Sequence, residues 1–121
     1  MKTYKDNMCR QKKLPKKIKI GYAEFKLRWL AKKSENPVDL GELEYQPNHV
    51  IRLFGKQEDS EFANSLMHEV LHGINYIFDI PFKNSREEEK YVRHSANALI
   101  TVFKDNPELL DVLKAYLHPD K

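Results

Sequence analysis

The sequence predicts an α+β domain, a small antiparallel sheet of about four strands followed by one long helix and two further helices. Three observations predict it. Between Lys16 and Tyr45 apolar residues recur at every second position in short runs, Ile18 and Ile20, Phe25 to Trp29, and Leu43 and Tyr45, as in half-buried strands. After Gly55 the period lengthens to about three and a half, as in a helix buried along one face. Two helix-start signals follow, Ser85-Arg86-Glu87-Glu88 and Asn106-Pro107-Glu108. With 121 residues the chain suits one hydrophobic core, so a single domain is expected over residues 16–121, after a basic flexible tail at 1–15 that ends in Leu14-Pro15.

Taken in order, Ile18 and Ile20, then Phe25, Leu27 and Trp29, alternate with polar residues on either side of Gly21, predicting two strands joined by a turn. Ala31–Asp39 is charged, contains Pro37 and reads as a loop. Leu43 and Tyr45 alternate with Glu42 and Glu44. Gln46-Pro47-Asn48 supplies turn chemistry, and Val50–Phe54 resumes an apolar strand. Phe62, Leu66, Val70, Ile74 and Ile77 then share one helix face, widened by Met67, Leu71 and Phe78, with Asp59 or Ser60 as N-cap. That breadth buries most of the helix and leaves a narrow strip for His68 and His72. Pro81 ends the pattern. Ser85 to Glu88 matches a capping box opening a helix with core positions Val92, Ala96, Leu99 and Phe103. The last helix presents Leu109, Leu110, Leu113 and Leu117.

Composition excludes several classes. No apolar run approaches the roughly 20 residues of a membrane span, and no signal-peptide core follows the basic N-terminus, so a cytoplasmic protein with no membrane partner is expected. Cys9 is the only cysteine, which excludes an internal disulfide and a multi-cysteine zinc site. Charge is asymmetric: residues 1–33 hold 12 Lys/Arg against Asp6 and Glu24, and the remainder holds 9 against 16 acids. A basic arm with Lys12, Lys13, Lys16, Lys17 and Lys19 can touch nucleic acid or pair with its own acidic body. No aromatics interleave with these lysines, which favours the second reading.

The chemistry concentrates at His68-Glu69-Val70-Leu71-His72. Two histidines four apart on a helix point the same way and can each give a ring nitrogen to one Zn²⁺. Glu69, directly after the first, is placed as the general base of a zinc hydrolase, taking a proton from the metal-activated water and passing it to the leaving amine. A third protein ligand leaves one position open for water. A continuation His-Glu-x-x-His-x-x-Gly-x-x-His would need glycine at 75 and histidine at 78, and Asn75 and Phe78 exclude it. A glutamate of the next helix is the alternative. Glu88 falls at the capping-box position, whereas Glu89 precedes Val92 and Ala96 on the inward face, so Glu89 is the expected third ligand and Glu88 the second choice. A solvated first turn accounts for Glu87. Tyr76, one turn past His72, and His49, beside a turn, can reach a substrate but read better as surface residues. His94, His118 and Cys9 carry no expected role.

In order of elements the chain resembles the gluzincin-like metallopeptidases. From Ile18 to about Leu110 it looks like small metallopeptidase-like proteins of phages and prophages. The resemblance rests on Gly41-Glu42-Leu43, on Leu66-Met67-His68-Glu69-Val70-Leu71-His72-Gly73-Ile74, on Glu88-Glu89 with Val92 and Asn97-Ala98-Leu99, and on Asp105-Asn106-Pro107-Glu108-Leu109. The chain is more distantly similar to the ImmA/IrrE-type peptidases that act on repressors. The resemblance implies a minimal zincin-like domain with zinc on His68, His72 and Glu89, Glu69 as general base, and a polypeptide substrate.

The expected function is zinc-dependent peptide hydrolysis, with the substrate lying along an exposed sheet edge at Val50–Phe54. Two rivals stand beside it. One is a non-catalytic, zinc-stabilised binding or regulatory module of a phage or prophage. The other is a nucleic-acid-associated protease in the manner of the SprT-like zincins, using the basic N-terminal arm.

Overall fold

The computed structural model describes residues 14–30, 41–45, 48–55 and 57–120. Residues 1–13 of the expected tail, with Cys9, Lys12 and Lys13, lie outside the described residues. So do the expected loop Ala31–Asp39 and the turn residues Gln46 and Pro47.

Lys17–Ile20 (β1) and Ala23–Leu30 (β2) pair antiparallel, with Ile18 opposite Phe25 and Ile20 opposite Ala23. The turn between them requires Gly21. Its φ is +60°, and a Cβ there would stand 2.8 Å from Ile77 Cγ2. Gly41–Glu44 (β3) and Val50–Phe54 (β4) form a second antiparallel pair.

The α+β class holds, but the sheet is mixed and not antiparallel throughout. Its order is β1-β2-β4-β3, and β4 runs parallel to β2, with Leu27 beside Ile51 and Trp29 beside Leu53. β3 begins at the end of the sheet where β2 stops, one strand position away, and the β3–β4 pair turns β4 back into the gap. Side-chain alternation is the same in parallel and antiparallel pairings, so it carries no information on this point. The consequence corrects a second expectation. Val50–Phe54 is a central strand, buried at Val50, Ile51, Leu53 and Phe54, and the edges of the described sheet are β1 and β3.

One face of the sheet buries Ile20, Ala23, Phe25, Ile51 and Leu53 beneath the helix Asp59–Ile77 (α1), on which Phe62, Leu66, Val70, Ile74 and Ile77 form the packed stripe. Phe25, Ile51 and Leu53 are fully buried, and each contributes roughly 1.5–3 kcal/mol by leaving water. The helix lies close on the sheet at Gly73, where a Cβ would meet Ile20 Cδ1 at 2.8 Å. Phe78 does not widen the stripe, because the helix ends at Ile77 and Phe78 caps it with its side chain exposed. The N-cap is Glu58, not Asp59 or Ser60, and its N–H donates to Glu61 Oε1 at 3.4 Å.

The helix Ser85–Asp105 (α2) packs on α1, with Val92 and Ala96 both 0% exposed and Leu99 and Phe103 half-buried. Asn64 Nδ2 donates to Asn97 Oδ1 between the two helices. The expected capping box is displaced by one residue. Asn84 is the N-cap, its Oδ1 accepting from the Glu87 N–H at 2.9 Å, and Ser85 is already helical. The helix Pro107–Leu117 (α3) starts after Asn106 as expected, but its apolar face is open, with Leu110, Leu113 and Leu117 exposed. Among the described residues no helix is long and apolar enough to cross a membrane.

Candidate metal centre

Helical geometry stacks His68 and His72 one turn apart on α1, their ring centroids 5.0 Å apart. The N-terminal part of α2 brings Glu89 to both. Glu89 Oε1 lies 2.8 Å from His68 Nε2, and Oε2 lies 2.7 Å from His72 Nε2. One ligand atom from each of the three residues lies within 4.8 Å of the others, so His68, His72 and Glu89 form a group that can hold a metal ion. The histidine side chains are 20% and 15% exposed and that of Glu89 46%, which leaves the group open to solvent on the glutamate side.

Glu88, expected as the alternative ligand, takes a different position. The shifted cap frees its carboxylate from the helix start, and Oε2 lies 3.0 Å from His72 Nδ1 and accepts from Asn75 Nδ2 at 3.3 Å. His72 therefore has a carboxylate at each ring nitrogen. A neutral imidazole has a single N–H, so the second contact calls for a further proton or a cation. With Nδ1–H given to Glu88, Nε2 keeps its lone pair for a metal, the arrangement by which an outer carboxylate orients a histidine ligand. Two imidazole nitrogens, one carboxylate oxygen and an accessible side make a donor set that suits a divalent metal ion.

The two histidines titrate in opposite directions. Burial lowers the pKa of His68 below 6.5, against the pull of Glu89. Burial acts the same way on His72, but hydrogen bonds to Glu88 and Glu89, with the charges of Glu89 and Glu69, outweigh it and raise the pKa above 6.5.

Glu69 is 7% exposed, and its Cγ lies 3.4 Å from where a Gly41 Cβ would stand, which sets it against the start of edge strand β3. Two residues beside the centre carried no signal in the sequence. Asn75, buried on α1, was legible only as a polar residue on a largely apolar helix. Tyr45, just past β3, read as one more apolar strand position. Its ring stacks on Tyr76 at 4.2 Å and 18°. Its pKa is pushed up to about 12 by burial and by the negative charges of Glu88, Glu69 and Glu89. The phenol thus stays a hydrogen-bond donor at physiological pH.

Tyr76 is part of this aromatic pair, while His49 lies elsewhere, its ring 4.9 Å from that of the core residue Phe25. His94 and His118 are exposed and outside the metal-holding group. Comparison with protein-family models, curated proteins and solved structures gave no match to this chain.

Proposed function

We propose that the protein is a zinc-dependent metallopeptidase in which His68, His72 and Glu89 hold the metal and Glu69 is the general base. The observation that carries this reading is the convergence of both histidine Nε2 atoms on one carboxylate, with a buried glutamate next in sequence to the first histidine. Zinc bound there would polarise a scissile carbonyl and lower the pKa of its water to about 7. Glu69 takes a proton from the attacking water and delivers it to the leaving amine, a role favoured by its burial. Glu88 and Asn75 hold the His72 ring in orientation. Tyr45 and Tyr76 offer hydroxyls to the carbonyl oxygen as charge develops on it.

A polypeptide substrate pairs with β3 in place of the central β4. β3 is an edge strand among the described residues, its first residue, Gly41, adjoins Glu69, and its outer backbone edge can bind an extended chain. Zinc-loaded Glu69→Gln should keep its metal and its melting temperature and lose hydrolysis of an unfolded protein substrate. Zinc binding with no hydrolysis by the wild type would assign the centre to stability alone.

A further inference from the structure

α1 covers one face of the sheet. Strand alternation puts Lys17, Lys19, Glu24, Lys26 and Arg28 of β1 and β2 on the other, beside Arg52 of β4 and Glu42 and Glu44 of β3. Two pairings on this outer face set like charges directly opposite one another: Lys17 faces Lys26, and Arg28 faces Arg52. Such pairs destabilise a sheet unless counter-charge is near. On the β4–β3 side it is present, with Arg52 Nη2 2.8 Å from Glu44 Oε1 and Nε 4.0 Å from Glu42 Oε1. On the β1–β2 side Glu24 reaches Lys17 alone, at 3.6 Å. Lys19, Lys26 and Arg28 are exposed and form no ion pair among the described residues. Tyr22, 78% exposed in the turn of the same hairpin, adds an aromatic ring at one end of this row.

We propose that the outer face of the β1–β2 hairpin binds the backbone of single-stranded nucleic acid. Lys19, Lys26 and Arg28 contact phosphates, and Tyr22 stacks on an unpaired base. Residues two apart on a strand are about 6.6–6.8 Å apart, so Lys26 and Arg28 present two neighbouring cations to one phosphate backbone. An exposed ring beside such a row is the platform that a single strand uses and a duplex does not. The surface shares Lys19 with the basic N-terminal arm, but Lys26, Arg28 and Tyr22 lie beyond it on the hairpin. This face points away from α1, so the metal centre takes no part in the binding.

The test is fluorescence anisotropy of a labelled oligothymidylate with the full chain. Wild type is compared with Lys26→Glu/Arg28→Glu, Tyr22→Ala, the arm variant Lys12→Glu/Lys13→Glu, and Lys114→Glu on α3 as a control for charge reversal away from the sheet. The sheet pair should weaken binding by more than about tenfold and reduce the salt slope by ~1.4, two single-strand phosphate contacts. Tyr22→Ala should weaken it by at least about fivefold. Lys114→Glu should stay within about twofold of wild type. If the charge reversal unfolds the protein, Lys26→Gln/Arg28→Gln is read in its place. The proposal is overturned by absence of binding in the wild type, by a loss confined to the arm variant, or by tighter binding to phosphatidylserine vesicles than to the oligonucleotide.

Discussion

Replacing Glu88 by alanine separates the roles of two adjacent carboxylates. Glu88 meets His72 only at Nδ1, 3.0 Å away, whereas Glu89 lies 2.8 Å and 2.7 Å from the Nε2 atoms of His68 and His72. Glu88→Ala therefore leaves all three donor atoms in place and removes what holds the His72 ring, and it leaves the buried Asn75 amide without that acceptor. Losing an outer partner of this kind costs roughly 10–100-fold in metal affinity, or about 1.4–2.7 kcal/mol. Glu89→Ala deletes a donor from a set of three and should leave the protein unable to retain one equivalent of zinc. Glu88→Gln, which can still accept from Nδ1–H, should fall between wild type and Glu88→Ala. Competition with a chromophoric zinc chelator at neutral pH measures all three, with circular dichroism confirming the fold. Equal losses at the two positions, or a greater loss from Glu88→Ala, would refute the assignment of Glu89 as the ligand.

Proton competition gives a second outcome. Metal affinity should be flat at alkaline pH and fall as the pH drops through a midpoint above 6.5, because His72 is raised and must be neutral to bind, while His68, lowered, is neutral already. A midpoint below 6.5 in a zinc titration would contradict this. Zinc at about a hundred times its Kd should stabilise the wild type by ~2.7 kcal/mol against thermal unfolding, and His68→Ala and His72→Ala should show no such gain. Gly21→Ala should lose about 1–2 kcal/mol in chemical denaturation, since φ of +60° strains any L side chain and the new Cβ meets Ile77. Tyr45 should ionise near pH 12, and its raised value implies a stability contribution present below pH 10 and lost as pH rises through 12. The latest step in an ultraviolet tyrosine titration should therefore be missing from Tyr45→Phe.

Much of the fold was legible in local pattern. The stripe Phe62, Leu66, Val70, Ile74 and Ile77 packs on the sheet as its spacing predicts, and Val92 and Ala96 are wholly buried. The start of α2 was misread by one residue because Asn84 and Ser85 are both good caps and only backbone geometry chooses between them. That small error hid Glu88, which seemed occupied at the helix start and instead reaches His72. Val50–Phe54 read as an exposed edge strand, yet it is central and buried, because an apolar run fixes neither a strand's place in the sheet order nor its direction.

By itself the sequence determined what depends on near neighbours: the identity and order of the elements, the helix that stacks His68 over His72, and the inward side of α2 on which Glu89 stands. Periodicity and capping are set by residues a few positions apart, so they survive without knowledge of the rest of the chain. Only the tertiary structure decided the relations between distant segments. It placed Glu88 and Glu89, 16 and 17 residues beyond His72, on opposite nitrogens of one ring. It also slotted β4 between β2 and β3, and it left Lys19, Lys26 and Arg28 of the β1–β2 hairpin without an ion pair among the described residues while Arg52 found two glutamates. Each of these follows from how whole elements pack, and packing is decided by the burial of faces that no short window of sequence contains.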